Sequence, residues 1–195
     1  MINFKFKKIN FKTSAGFTVL ESIVAIFVLS LAISGAFAAV QQSMSQSIIA
    51  KEEIKAFYLA QEAVEIIRNK RDANQLDRII NSSPNSWLYG ISEDPSDPCW
   101  FGKVCSADAL SMNLEYCGQN WESCPLLNQD PATYRYGYNI NYTPTNFKRE
   151  VMLERIGDHD DDGIPDEISV TVRITWGKGL FKSEFKAKTN LFNWI

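Results

Sequence analysis

Six carboxylates fall within the ten residues 158–167, and their spacing could do chemistry. Asp158, Asp160 and Asp162 alternate with other residues and lead into Gly163; Ile164 can offer a backbone carbonyl, and Asp166 stands at the ninth position. Alternating oxygen donors suit a hard cation, and D-x-D-x-D-G is the opening of a calcium loop. Without a counter-ion so many like charges repel one another. The twelfth position holds Ser169 instead of a bidentate glutamate, which leaves Asp161 or Glu167 as the substitute. A solvated acidic turn between strands is the plainer alternative. A structural Ca2+ is the expectation, because millimolar calcium outside a cell fills even a weak loop of this kind.

The same loop holds His159, the only histidine of the chain. No Ser, His and Asp set can be assembled without it, and no G-x-S-x-G, G-x-x-x-x-G-K or H-E-x-x-H sequence occurs. An enzyme is therefore not expected. The acidic segment resembles the calcium loops of EF-hands and thrombospondin type 3 repeats. Four cysteines, Cys99, Cys105, Cys117 and Cys124, follow one another with spacings x5, x11 and x6, which match no paired C-x2-C zinc arrangement. Two disulfides are expected, with the local pairs Cys99–Cys105 and Cys117–Cys124 preferred among the three possible pairings.

Near the other end, a carboxylate sits where it is costly. Residues 17–40 form a 24-residue stretch whose only charged side chain is Glu21, against the roughly 20 apolar residues that span a bilayer. Lys5, Lys7, Lys8 and Lys12 precede it without an acid, which by the positive-inside rule keeps residues 1–16 cytoplasmic. A secretory signal peptide cut near Ala36, Ala38 or Ala39 is the competing reading, but the apolar run is longer than such a segment and begins with a charge. A buried carboxylate needs a cationic partner.

Gly16-Phe17-Thr18-Val19-Leu20-Glu21-Ser22, behind lysines and ahead of Ile23-Val24-Ala25-Ile26-Phe27-Val28-Leu29, closely resembles the type IV pilin and type II secretion pseudopilin signature. The resemblance implies cleavage by prepilin peptidase between Gly16 and Phe17, N-methylation of Phe17, and an assembly role for Glu21. The new amine at Phe17 would be the partner that Glu21 lacks, meeting the glutamate of a neighbouring subunit and setting the stagger between them. Short stretches, Ala56-Phe57-Tyr58-Leu59-Ala60-Gln61-Glu62-Ala63 and Leu191-Phe192-Asn193-Trp194, look like minor pilins or pseudopilins. The family implies other pilin subunits, an assembly platform and the inner membrane as partners. It also implies a single-pass membrane protein with an extracytoplasmic domain that later joins a cell-surface filament. A membrane-anchored, calcium-dependent adhesin that never polymerises is the alternative.

The elements that would position these groups follow from pattern. No proline occurs between Val40 and Pro84, and Gln, Ala, Glu and Lys favour helix. Ala50, Ile54, Phe57, Ala60, Val64 and Ile67 recur at helical spacing and predict the stripe that faces a core. A helix over residues 17–71 would run about 80 Å at 1.5 Å per residue, so its first half is expected to protrude, with Gly35 as the one weak point. Residues 81–131, rich in Ser, Asn, Pro and Gly, read as an irregular disulfide-fastened loop. Tyr134, Tyr136, Tyr138, Ile140 and Tyr142 alternate like a strand; Ile168, Val170, Val172, Ile174 and Trp176 do so strictly, ahead of a Gly177-Lys178-Gly179 turn and a last strand through Phe181, Phe185 and Leu191.

The expected organisation is thus α+β, a long protruding N-terminal α-helix packed against an antiparallel β-sheet. Its parts are a cytoplasmic leader 1–16, a membrane or filament-core half-helix 17–40, an amphipathic half 41–80, and a head 81–195 whose sheet occupies 132–195. At 195 residues, 45% hydrophobic and 22% charged, the chain suits one domain plus an appendage. Its net charge of -3 advertises no nucleic acid.

Overall fold

The computed structural model describes Gly16, residues 18–159, 163–178 and 181–194. The leader lysines, Phe17, Asp160, Asp161, Asp162 and Gly179 lie outside the described residues.

One helix, α1 (Val19–Asn81), precedes seven strands: β1 (Val104–Ala107), β2 (Leu114–Gly118), β3 (Leu126–Gln129), β4 (Tyr136–Gly137), β5 (Thr143–Gly157), β6 (Glu167–Lys178) and β7 (Phe181–Phe192). The fold is α+β, as its pattern implies. By contacts the chain forms two units, residues 1–49 and residues 50–195.

In the first unit, α1 presents apolar side chains all round up to Val40, nearly every one exposed, and then turns Gln- and Ser-rich. Such a helix is long and apolar enough to cross a membrane. Thr18 caps it, its Oγ1 accepting the N–H of Glu21 at 3.3 Å.

In the second unit, α1 lies on an antiparallel sheet built around β5. One edge of β5 pairs with β6 along most of its length, and β6 pairs with β7. The other edge takes β3 beside its first half and β1 beside its second, with β4 and β2 beyond. Strict alternation sends Ile168, Val170, Val172 and Ile174 inward, all fully buried, against Val151 and Leu153 of β5. Lys182, Glu184, Lys186 and Lys188 stay exposed on β7.

The helix meets this face through Ala56, Leu59, Ala60, Ala63, Val64, Ile66 and Ile67. Ala60, Val64 and Ile67 of the expected stripe are buried, whereas Ala50, Ile54 and Phe57 are exposed. The contact line is rotated because three alanines let the helix backbone approach the strands, and the bulkier Ile54 and Phe57 fall to the side. Phe57 still touches the sheet edge-on, its ring 5.9 Å from Phe185.

Three further expectations change. Residues 81–131, expected as an irregular loop outside the sheet, supply β1, β2 and β3 to it, because short strands broken by turns carry too few alternating residues to show as a pattern. Of the tyrosine run only Tyr136 and Gly137 form strand. Turns interrupt the rest: the Asp130 carboxylate accepts the Ala132 N–H and the Thr133 hydroxyl, and Asn139 Oδ1 accepts the Asn141 N–H. The last hairpin turns one step later than expected, since Gly177 and Lys178 remain paired with Lys182 and Phe181. The helix ends at Asn81, where Ser82 takes a left-handed backbone (φ 51°) and Pro84 follows.

Candidate functional site

Gly16 is exposed, and a Cβ built on it would meet nothing within 4 Å. Among the described residues this position, where cleavage is expected, is thus sterically open, while Phe17 lies outside them. Thr18 and Glu21 stand at the N-cap and third helical positions, the T-x-x-E arrangement of a capping box. This adds a local reason for an acid at residue 21, because the first turn of a helix carries a partial positive charge. The signal was present in the sequence and was overshadowed by the hydrophobic run.

The acidic loop is fixed at both ends. Asp158 Oδ2 accepts the Gly163 N–H at 3.1 Å, closing the turn at a glycine whose φ of +87° other residues rarely adopt. Its other oxygen, Oδ1, is buried and has no hydrogen-bond partner among the described residues. Asp166 Oδ2 accepts the His159 N–H at 2.8 Å and lies 3.3 Å from its Nδ1. The Ile164 side chain packs against the core. Arg155 donates to the Gly163 carbonyl at 3.3 Å, and its guanidinium stands 4.7 Å from the Phe101 ring. Buried Trp87 donates to the Pro165 carbonyl at 3.0 Å. Among the described residues no three His, Cys, Asp or Glu side chains converge on one point; Asp160 and Asp162 lie outside that set.

Both disulfides take the local pairing, Cys99 with Cys105 and Cys117 with Cys124. The second closes a short loop over the outer face of the sheet. Gly118 belongs there for room, since a Cβ would come within 2.8 Å of Ser123 Cβ. At the loop's apex Glu122 adopts φ +79°, a conformation costing a non-glycine residue on the order of 1 kcal/mol. Its carboxylate takes Arg173 Nη2 at 2.7 Å and Lys182 Nζ at 2.6 Å, and its backbone oxygen takes Lys148 Nζ at 2.6 Å. The hydrogen bond from Lys182, with the charges of Lys182, Arg173 and Lys148, holds the Glu122 carboxyl below its usual range.

On the inner face, Arg149 is fully buried and pairs with Glu62 of α1. Its Nε and Nη2 have no hydrogen-bond partner among the described residues. Tyr138 donates to the Arg149 carbonyl at 3.1 Å, and burial pushes its phenol up to about 12. Neither Arg149 nor Glu122 stood out in sequence, because each draws its partners from distant segments.

The chain matches no family model, no curated protein and no solved structure. The architecture, a long N-terminal helix that is apolar in its first part and packed on an antiparallel sheet in its second, is consistent with a pilin-like fold.

Proposed function

We propose that this chain is a structural subunit, a minor pilin or pseudopilin, of a type IV pilus or type II secretion-like filament. Prepilin peptidase cuts between Gly16 and Phe17, Phe17 is methylated, and the apolar helix is held in the inner membrane until it enters the filament core. Glu21 then pairs with the Phe17 amine of a neighbouring subunit, while the disulfide-fastened head lies outside the cytoplasm. The role is assembly rather than catalysis. The observation that carries this reading is the register of the N-terminus: an open glycine, an aromatic residue, a cap at Thr18 and an acid at residue 21 lead directly into an exposed apolar helix.

Intact mass and N-terminal peptide analysis of protein taken from its native membrane tests the reading. A terminus at methylated Phe17 is expected. A retained Met1, or a cut near Ala39, rejects it in favour of an anchored or secreted module. Replacing Gly16 by a bulky residue should leave unprocessed precursor in the membrane. Glu21→Ala should mature yet enter filaments poorly, and normal incorporation would remove the pairing.

We also read the acidic loop as a structural calcium site. The buried, unpartnered Asp158 Oδ1 fits a cation ligand, with Asp160, Asp162, the Ile164 carbonyl and Asp166 as the other donors. Calcium there would neutralise the carboxylates and tie the β5–β6 connection together. Chelation should lower the melting temperature of the full chain in detergent, and an unchanged value rejects the site.

A further inference from the structure

Two open cavities of about 450 and 330 Å3 adjoin along one flank of α1, sharing Glu62 and Arg135 in their walls. The larger lies between Lys55, Tyr58 and Leu59 of the helix and Tyr134 and Tyr136 at the β3–β4 turn. The smaller continues past Glu65 and Asn69 to Asp72. From Lys55 to Asp72 the helix rises about 25 Å at 1.5 Å per residue, so the trough is long.

Its aromatic end is built rather than incidental. Tyr134 has φ +59°, a left-handed conformation that is a genuine outlier for a bulky residue, and the residue is 71% exposed. Its backbone is held there: the N–H donates to the Asp130 carbonyl at 2.8 Å, and its carbonyl accepts Gln129 Nε2 at 3.1 Å. Tyr58 faces it at 64% exposure. Behind them Tyr136 packs edge-on against Phe147, ring centres 6.2 Å apart. Strained residues of this kind cluster where a ligand is held, and rigid aromatic rings supply contact area at small entropic cost.

The charges select the ligand class. Glu62, Glu65 and Asp72 line the trough against Lys55, Arg68 and Arg135, with Glu65 paired to Arg68, so a polyanion meets three carboxylates, a polycation three basic groups, and neither finds a net attraction. Lys and Glu in the floor also differ from the charge-depleted core of a protein interface. A neutral, polyhydroxylated chain meets none of these penalties: its ring faces lie on tyrosines, and its hydroxyls donate to carboxylates and accept from Lys and Arg.

We propose that this trough binds a neutral oligosaccharide, with Tyr58 and Tyr134 as its stacking platform. The test presents full-length protein in detergent micelles to immobilised neutral hexasaccharides of glucose, galactose, mannose and N-acetylglucosamine, with a sulfated hexasaccharide and a second copy of the chain beside them. Binding to at least one neutral sugar is expected, weakened roughly tenfold or more by Tyr58→Ala and by Tyr134→Gly and unchanged by Tyr89→Ala outside the trough. Glycine relieves the backbone at residue 134, so that variant should melt no lower than the parent while binding less. Failure to bind any neutral sugar, binding only to the sulfated one, binding untouched by both tyrosine variants, or self-association lost in the same variants would each overturn the proposal.

Discussion

The two halves of α1 share a backbone and differ in what must surround them. Residues 19–40 are apolar on every side apart from Glu21 and are exposed; residues 50–81 bury one alanine-rich face and leave charges on the others. Helix propensity hardly distinguishes the two. The first half needs an apolar medium around its whole circumference, which a bilayer or a bundle of like helices supplies, whereas the second finds its medium in the sheet of its own chain. A single helix can therefore belong half to a fold and half to its surroundings.

Paired substitutions sharpen that contrast. Ile67→Ala should cost about 2 to 5 kcal/mol of head stability, because the side chain is fully buried, whereas Ile26→Ala should leave head unfolding within about 0.5 kcal/mol. Denaturation of the full chain in detergent, followed by near-ultraviolet circular dichroism, reads both; equal losses would mean that the two halves fold as one unit. Lysine reverses the order. Ile26→Lys should oppose membrane insertion by roughly 3 kcal/mol, while Ile54→Lys, at an exposed position in the second half, should insert normally; alkaline extraction of membranes separates the two.

Removing the Cys117–Cys124 bond with serines should cost about 2 to 4 kcal/mol of head stability and leave the apolar half of α1 unaffected. The smallest effect is electrostatic. Glu122 has a carboxyl lowered by Lys182, Arg173 and Lys148, so its contribution is present above the unfolded carboxylate range and is lost as pH falls through the still lower folded value. Because the group is partly exposed, that contribution should be under about 1 kcal/mol. Glu122→Gln should flatten the acid limb of the melting profile, and an unchanged limb would remove Glu122 from it.

Legibility tracked the range of the interactions. The alternation from Ile168 to Trp176 and the apolar run at residues 17–40 are local patterns, and both elements stand where those patterns place them. The tyrosine run failed because alternation of ring and polar residue does not register the side-chain turns at Asp130 and Asn139. The stripe on α1 was right over Ala60, Val64 and Ile67 and wrong over Ala50, Ile54 and Phe57: Ile54 and Phe57 carry more hydrophobicity than Ala56 and Ala63, but closeness of approach, not hydrophobicity, chose the buried line there. In the acidic loop the spacing of the carboxylates was visible, while the anchors at Trp87 and Arg155 come from other segments.

Composition and periodicity determined an apolar N-terminal helix and the principal antiparallel strands, because each depends on residues close along the chain; which of three cysteine pairings forms was decided only by the structure. Tertiary structure alone decided which face of the helix is buried, that Glu62 answers Arg149, that Glu122 draws cations from β5, β6 and β7, and that Tyr58 and Tyr134 share one trough. Those pairings join residues dozens of positions apart, and only the closing of the sheet on the helix brings them within reach.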